Sequence, residues 1–224
     1  EARQRFAREA KSVAKLKHPH ILEVYDFSGA DSFHSYIAAE LLTGPTLKDF
    51  GAQHPELPAE VAVAMTLQIS RALEAAHAHG IVHRDVKPEN VMIHEGRTLK
   101  LTDFGIAQIL DTQSFTATGQ ILGSPGHMAP EQVETGEVDE RSDLFALGTV
   151  LYFLACGRLP FTGRNPHQIL RRVMDTEYMD PLRVRPSIGA GLARIIACCL
   201  ARNPADRYAN AAALSSALQA WCES

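Results

Sequence analysis

Between Ile81 and Ile93 the chain reads IVHRDVKPENVMI, a crowd of ionisable side chains, a proline and an amide set between two apolar runs. A surface turn would not need the apolar flanks. A core strand would not tolerate the charges, because buried ions are costly unless paired and hydrogen-bonded. The arrangement fits a loop clamped between a helix and a strand, with its charged groups held at fixed geometry. The rest of the chain is expected to supply those clamps.

The stretch before it, PAEVAVAMTLQISRALEAAHAHG, reads as a long helix. Pro58 suits a first helical position and Gly80 a C-terminal stop. After the loop, VMI and LKLT form a short hairpin around HEGR. Upstream, ILEVYDFSG and HSYIAAELL are rich in Val, Tyr, Phe and Ile and read as another hairpin. TGPTLKDF is a turn and the start of a short helix. The chain opens directly in helical periodicity, with Phe6, Ala10, Val13 and Ala14 near one stripe, and that helix stops before KHPH. There is no initiator methionine, so the chain is expected to be cut from something longer. From Asp103 to Arg141 runs an irregular stretch rich in Gly, Ser, Thr and Pro, of a length that is functional or disordered. Beyond it the pattern is helical, broken at CGRLPFTGRNP, MDPLRVRPSIGAG and ARNPADRYAN. Strands in the N-terminal half and helices afterwards make an α+β fold.

Bulk properties remove several function classes. A formal net charge of -4 gives no reason to expect nucleic-acid binding, which usually needs a basic face. No apolar run reaches the length of a membrane span. Cys156, Cys198, Cys199 and Cys222 lack paired metal-ligand spacing, and the adjacent Cys198 and Cys199 are expected to be buried free thiols in a reducing compartment. His18, His20, His77 and His79 are expected at solvent-facing helix ends rather than around a metal.

The residues with chemical capacity form a spaced set. Asp85 and Asn90 are five apart (90 − 85), and Asp103 follows Asp85 by 18 (103 − 85), directly after a strand. Two carboxylates and an amide at element ends suit a hard cation such as magnesium, which takes few protein oxygens and leaves the rest to water and phosphate. Lys87 can neutralise a phosphate, and Asp85 can accept a proton from an attacking hydroxyl.

At this point the sequence resembles the protein kinases. HRDVKPEN from His83 to Asn90 is similar to the family's catalytic loop, DFG from Asp103 to Gly105 to its metal-binding motif, and APE from Ala129 to Glu131 to the end of the segment between them. REAKSVAKLKHPHIL resembles the helix with the regulatory Glu, which would be Glu9. RSDLFALGTVLYFLACGRLPF resembles the buried helix of the large lobe, and NPADRYAN its closing segment. Lys87, with GSPGHMAPEQ, resembles the serine/threonine branch, bacterial type, with Ser124 in place of the usual Thr.

The resemblance implies a bilobal kinase-like fold with a truncated small lobe (residues 1–42) and a mainly helical large lobe (43–224). It implies ATP with Mg2+, or Mn2+ in its place, and transfer of the γ-phosphoryl to Ser/Thr hydroxyls of protein substrates. Asp85 would take the hydroxyl proton, Lys87 would offset phosphoryl charge, and Asn90 and Asp103 would hold the metal. His83 would pack beneath Phe104. Glu131 would pair with Arg207, and Asp143 would be buried under the catalytic loop. SYIAAELL would be the hinge, with Ala39 guarding the adenine pocket and the Glu40 and Leu42 backbones offered to adenine. Thr116 and Thr118 would be phosphorylated, with Arg84 pairing the phosphate and self-association serving autophosphorylation. Glu89 is expected to be a plain solvated acid, its alternative being to attract a basic residue of the substrate.

One departure stands out. No G-x-G-x-x-G and no lysine-bearing strand precede Glu9. The chain as given is therefore expected to be nearly inactive, and the full-length protein an active, cytoplasmic kinase domain whose parent could be membrane-anchored. The alternative is a non-catalytic kinase-like scaffold.

Overall fold

The structure is a computed structural model that describes residues 13–29, 36–104 and 125–223. Two antiparallel hairpins come first. β1 (Val24–Phe27) pairs with β2 (Ile37–Ala39), Val24 opposite Ala39 and Phe27 opposite Ile37, with an irregularity between Val24 and Asp26. β3 (Val91–His94) pairs with β4 (Thr98–Leu101), Val91 opposite Leu101 and Ile93 opposite Leu99. These last four side chains are all buried. The period of two therefore puts one apolar face of the hairpin inward and leaves Met92 and Lys100 on the other. The turn between them has Glu95 and Gly96 at φ 49° and 72°, a backbone that glycine adopts at little cost.

A connection absent from the sequence pattern ties the hairpins together. Leu22 N–H donates to the Leu101 carbonyl and Leu101 N–H to the His20 carbonyl, so the segment entering β1 runs parallel along β4.

Eight helices fill the rest of the described chain: α1 (Leu47–Gln53), α2 (Ala59–His77), α3 (Pro130–Glu134), α4 (Glu140–Cys156), α5 (Pro166–Met174), α6 (Pro181–Val184), α7 (Gly189–Cys199) and α8 (Ala211–Cys222). Their starts are chemically marked. Thr46, Asn165, Asp180 and Asn210 each accept a backbone N–H from the first turn that follows. Asp139 caps α4 in a reciprocal capping box with Ser142.

α4 is buried without interruption from Ser142 to Tyr152. A helix apolar on all sides needs neighbours on all sides. α2 and α7 pack on it, and α8 packs on α2. At Gly148 a Cβ would fall 2.5 Å from the Cys199 Cβ, so the close approach of α4 to α7 requires a glycine there.

Some expectations need correction. Pro58 caps α2 rather than opening it, and Gly80, at φ 69°, lies three residues beyond the helix end. The stretch expected to be irregular to Arg141 contains α3 and the start of α4. Proline at the first position of α3 disguises a helix as a loop. His77 is not solvent-facing: it is 8% exposed, on the inner side of α2. Cys199 is buried but Cys198 only partly so, and all four thiols are free. No helix among the described residues is long and apolar enough to cross a membrane.

Candidate active site

The polar loop lies between α2 and β3, and its backbone is held from beneath. The Asp143 carboxylate, 1% exposed in the first turn of α4, accepts the N–H of His83 (2.8 Å), the N–H of Arg84 (2.8 Å) and the Nε2 proton of His77 (2.9 Å). Arg84 has φ 70°, a conformation that costs a non-glycine residue roughly 1 kcal/mol or more and persists when its surroundings impose it.

His83 is fully buried. Its Nε2 faces the Thr102 carbonyl at 2.8 Å, and its Nδ1 faces the Asp85 N–H at 3.3 Å. A carbonyl can only accept and an N–H can only donate, so the ring is the neutral Nε2–H tautomer. Burial lowers its pKa, outweighing the opposing pull of Asp143 and the Thr102 carbonyl. Its ring lies 4.6 Å from the Phe104 ring. Thus helix α4, the loop and the end of β4 are joined through one histidine, its main-chain N–H on Asp143 and its ring on Thr102 and Asp85.

Above this support the functional side chains meet. Lys87 Nζ donates to Asp85 Oδ2 at 2.6 Å, and Asn90 Nδ2 donates to the same oxygen at 2.9 Å and to the Asp85 carbonyl at 2.8 Å. Asn90 is 6% exposed. Thr102 N–H donates to the Asn90 carbonyl at 2.9 Å, and the Thr102 hydroxyl lies 3.3 Å from Asp103 Oδ2. Asp103 is exposed, at φ 58°. The structure therefore brings Asp85, Lys87 and Asn90 into one cluster and sets Asp103 beside it, one residue along.

The donor set that a divalent ion would meet is made of oxygens. The Asn90 amide nitrogen is committed to Asp85, so the atom Asn90 can offer a cation is Oδ1. Asp103 adds an exposed carboxylate. Two oxygen ligands and open coordination positions fit magnesium better than zinc or calcium.

The surroundings hold further charge pairs. Glu89 pairs with Lys48 at 3.0 Å. Burial pushes its carboxyl up, but the hydrogen bond from Lys48 and other favourable contacts leave it lowered. Glu131 and Arg207 form a two-pronged pair at 2.8 and 2.7 Å. The guanidinium also donates to the carbonyls of Ala201, Arg141 and Arg202, and it covers the Phe145 ring at 4.9 Å. All five of its N–H groups are thereby used. At the end of β2, Ala39 is half-buried, and Glu40 N–H donates to the Glu23 carbonyl at 2.9 Å. Leu42 follows two residues later, half-buried. Glu9, Thr116, Thr118 and Ser124 lie outside the described residues.

Two residues near the site carried no sequence signal. His77 contributes to the Asp143 anchor from 66 residues away. His127 is buried within 2.5 Å of the Thr149 hydroxyl, which itself donates to the Ala146 carbonyl, so His127 Nδ1 carries the proton between them. Burial pushes its pKa down to about 4. A lone histidine among Gly, Ser and Pro has no periodicity to betray it; only its position just ahead of Ala129 could have flagged it.

Comparison with known proteins agrees with this architecture. The chain is 38% identical over 219 residues to serine/threonine-protein kinase PknL of Mycobacterium tuberculosis, covering 98% of this chain and 55% of that protein. It is 38% identical over 208 residues to serine/threonine-protein kinase PrkC of Bacillus subtilis, covering 93% and 32%. The chain thus spans about half, or less, of the length of these relatives. Among solved structures, Rad53 crystallised with AMP-PNP superposes with a TM-score of 0.77 at 27% identity, over 94% of this chain and 53% of that one. With residues 1–219 matching the pattern of the protein kinase domain, the chain belongs to that family.

Proposed function

We propose that this chain is the phosphoryl-transfer domain of a serine/threonine protein kinase, acting on protein hydroxyls with ATP as the phosphoryl donor. The observation that carries the reading is the cluster of Asp85, Lys87 and Asn90, bonded to one another at 2.6 to 2.9 Å on a loop whose main chain rests on buried Asp143. Oδ2 of Asp85 is occupied by Lys87 and Asn90. Oδ1 has no hydrogen bond among the described residues, which suits it to accept the proton of an incoming hydroxyl. As the oxygen of the substrate hydroxyl bonds to the γ-phosphorus and its proton passes to Asp85, the bond from phosphorus to the bridging oxygen breaks and its electron pair leaves with ADP. Lys87 is placed to follow the negative charge from Asp85 onto the phosphoryl oxygens. Asn90 and Asp103 would hold the magnesium ion, whose role when bound is to offset charge along the phosphate chain. The chemistry is positioning and charge stabilisation.

In this reading residues 1–42 belong to the cap and residues 43–224 to the body. The main chain at Glu40 and Leu42 reads adenine, and Glu9 belongs to the nucleotide site. Thr116 and Thr118 take phosphate from a second copy, and the domain works in the cytoplasm. The relatives named as serine/threonine-protein kinases support the substrate class.

The test is γ-phosphoryl transfer from labelled ATP to a serine/threonine peptide library by the full-length protein, with Mg2+ or Mn2+. Transfer that disappears in Asp85→Asn, without loss of folding, supports the reading. No transfer by the unaltered protein, or equal transfer by Asp85→Asn, points instead to a binding scaffold.

A further inference from the structure

Lys100 lies on β4, on the face away from the hairpin's buried side chains, and no motif marks it. Its Nζ is 2.7 Å from Glu40 Oε1, and the two side chains are only 12% and 14% exposed. The same carboxylate oxygen accepts the Glu23 N–H at 2.8 Å, while the Glu40 N–H returns a bond to the Glu23 carbonyl. Nζ also lies 3.5 Å from the Ile21 carbonyl oxygen. By contrast, the nearby Lys17–Glu23 pair has side chains 80% and 45% exposed. Pairs in water are worth little, whereas a charge-assisted bond shielded from solvent is stronger and more directional.

The position of this pair matters more than its strength. Segment 20–22 is bonded to β4, and Glu40 is the first residue past the end of β2. Lys100 therefore joins the chain entering the cap hairpin to the chain leaving it, from a strand that ends two residues before Asp103. Just past Glu40 the chain turns to solvent, with Leu41 81% exposed. Burial alone would raise the Glu40 carboxyl, but the bonds from Lys100 and Glu23 leave it lowered, so it is charged at neutral pH.

We propose that Lys100 is a positioning residue for the nucleotide: by holding the Glu40 carboxylate it fixes the main chain from Glu40 to Leu42 against which the adenine edge is read. The proposal rests on the phosphoryl-transfer reading above. A purine edge requires a donor and an acceptor at set spacing, and hydrogen bonds weaken steeply as their angles open. Lys100 touches no reacting atom, so its loss acts on nucleotide binding rather than on the chemical step.

The experiment uses the full-length protein and measures KM for ATP and kcat separately, with thermal unfolding alongside. Lys100→Met is expected to raise KM for ATP about five- to tenfold, the equivalent of one to two lost hydrogen bonds, with kcat within about twofold. Lys100→Arg keeps the charge and restores most of the affinity. In a Glu40→Gln background Lys100→Met adds nothing further, because the lysine acts through that carboxylate. An unchanged KM in Lys100→Met overturns the proposal. So does an undiminished effect in the Glu40→Gln background, or a KM change accompanied by an equal loss of kcat. If the unaltered protein transfers no phosphoryl group, the reading above fails. Calorimetric titration of the unaltered protein and Lys100→Met with an adenine nucleotide still decides this proposal: weaker binding to the variant supports it, and equal binding refutes it.

Discussion

Replacing Asp143 by Asn tests whether the polar loop is held by one buried carboxylate. In the native arrangement Oδ1 accepts the Arg84 N–H, and Oδ2 accepts both the His83 N–H and the His77 ring proton. An Asn side chain has one acceptor oxygen, so in its best orientation it keeps the two bonds at the Oδ2 position. Its NH2 group then faces the Arg84 N–H, donor against donor. The lost charge-assisted bond is worth about 2 kcal/mol, and the two remaining bonds, now to a neutral oxygen, weaken by about 1 kcal/mol together. The total is about 3 kcal/mol, a large part of the 5–15 kcal/mol that typically stabilises a domain. For a chain of this size it corresponds to a fall in Tm of roughly 6–12 °C.

The kinetic consequence is separable. Arg84 sits at φ 70° directly before Asp85, and freed from Oδ1 it relaxes toward an ordinary conformation, turning Asp85 away from the substrate hydroxyl. Displacements of about 1 Å in a positioned group can cost about a hundredfold in rate. Asp143→Asn is therefore expected to lower kcat about a hundredfold, with Tm reduced but folding retained. The assays are calorimetry and steady-state transfer. A variant with unchanged Tm and unchanged kcat refutes the reasoning outright, and a lowered Tm with normal kcat refutes the link from Asp143 through Arg84 to Asp85.

The remaining predictions follow from single contacts. Asp103→Asn in the full-length protein should lower kcat by about two orders of magnitude or more while Tm moves by less than about 2 °C, because the residue is exposed and its proposed role is electrostatic; activity titrated against Mg2+ checks it. Arg207→Lys keeps the charge but offers at most three N–H donors where five are now used, so urea denaturation should show a loss of roughly 2–4 kcal/mol. Ala39→Met should sharply weaken bulky purine inhibitors of the full-length protein, and equal inhibition of both forms in a competition assay removes the idea that Ala39 borders the adenine site. His127 is held near pKa 4 by burial when folded, against 6.5 when unfolded, so the unfolded chain takes up its proton first as pH falls. Stability from this residue is thus full above pH 6.5 and is lost by about 2 kcal/mol between pH 7 and 5, a difference that His127→Gln should remove from paired urea titrations.

The reach of sequence reasoning divides along a physical line. Asp85, Lys87 and Asn90 lie within six residues, and their mutual bonds need only a loop of fixed shape, so local spacing was enough to group them. The two hairpins, the long helix after Pro58 and the helical C-terminal part were equally legible, because alternation, caps and prolines are local signals; α3, hidden behind its leading proline, was not. The supports were not. His77 meets Asp143 across 66 residues, Lys100 meets Glu40 across 60, and Arg207 meets Glu131 across 76. Of these three only the last was indicated beforehand, and by family resemblance rather than by any pattern of spacing.

That asymmetry follows from what each group must do. In the proposed reading a reacting carboxylate, its neutralising lysine and a metal-binding amide must move as one unit, and the simplest unit is a short loop. A loop cannot hold itself: its polar main chain needs partners that do not shift when substrate arrives. α4 is such a support, buried along 11 consecutive residues from Ser142 to Tyr152 and so packed on all sides. The anchoring acid belongs in its first turn, where Asp143 reaches the loop and the capping box of Asp139 and Ser142 fixes the helix start. Ser142 also donates to Glu131 Oε1, and Arg207 donates to both oxygens of the same carboxylate. The N-terminal turn of one helix therefore sets both the loop bearing Asp85 and the end of the segment that begins at Asp103. A perturbation at that turn should reach both together, whereas a change at Lys100 should reach the nucleotide end alone.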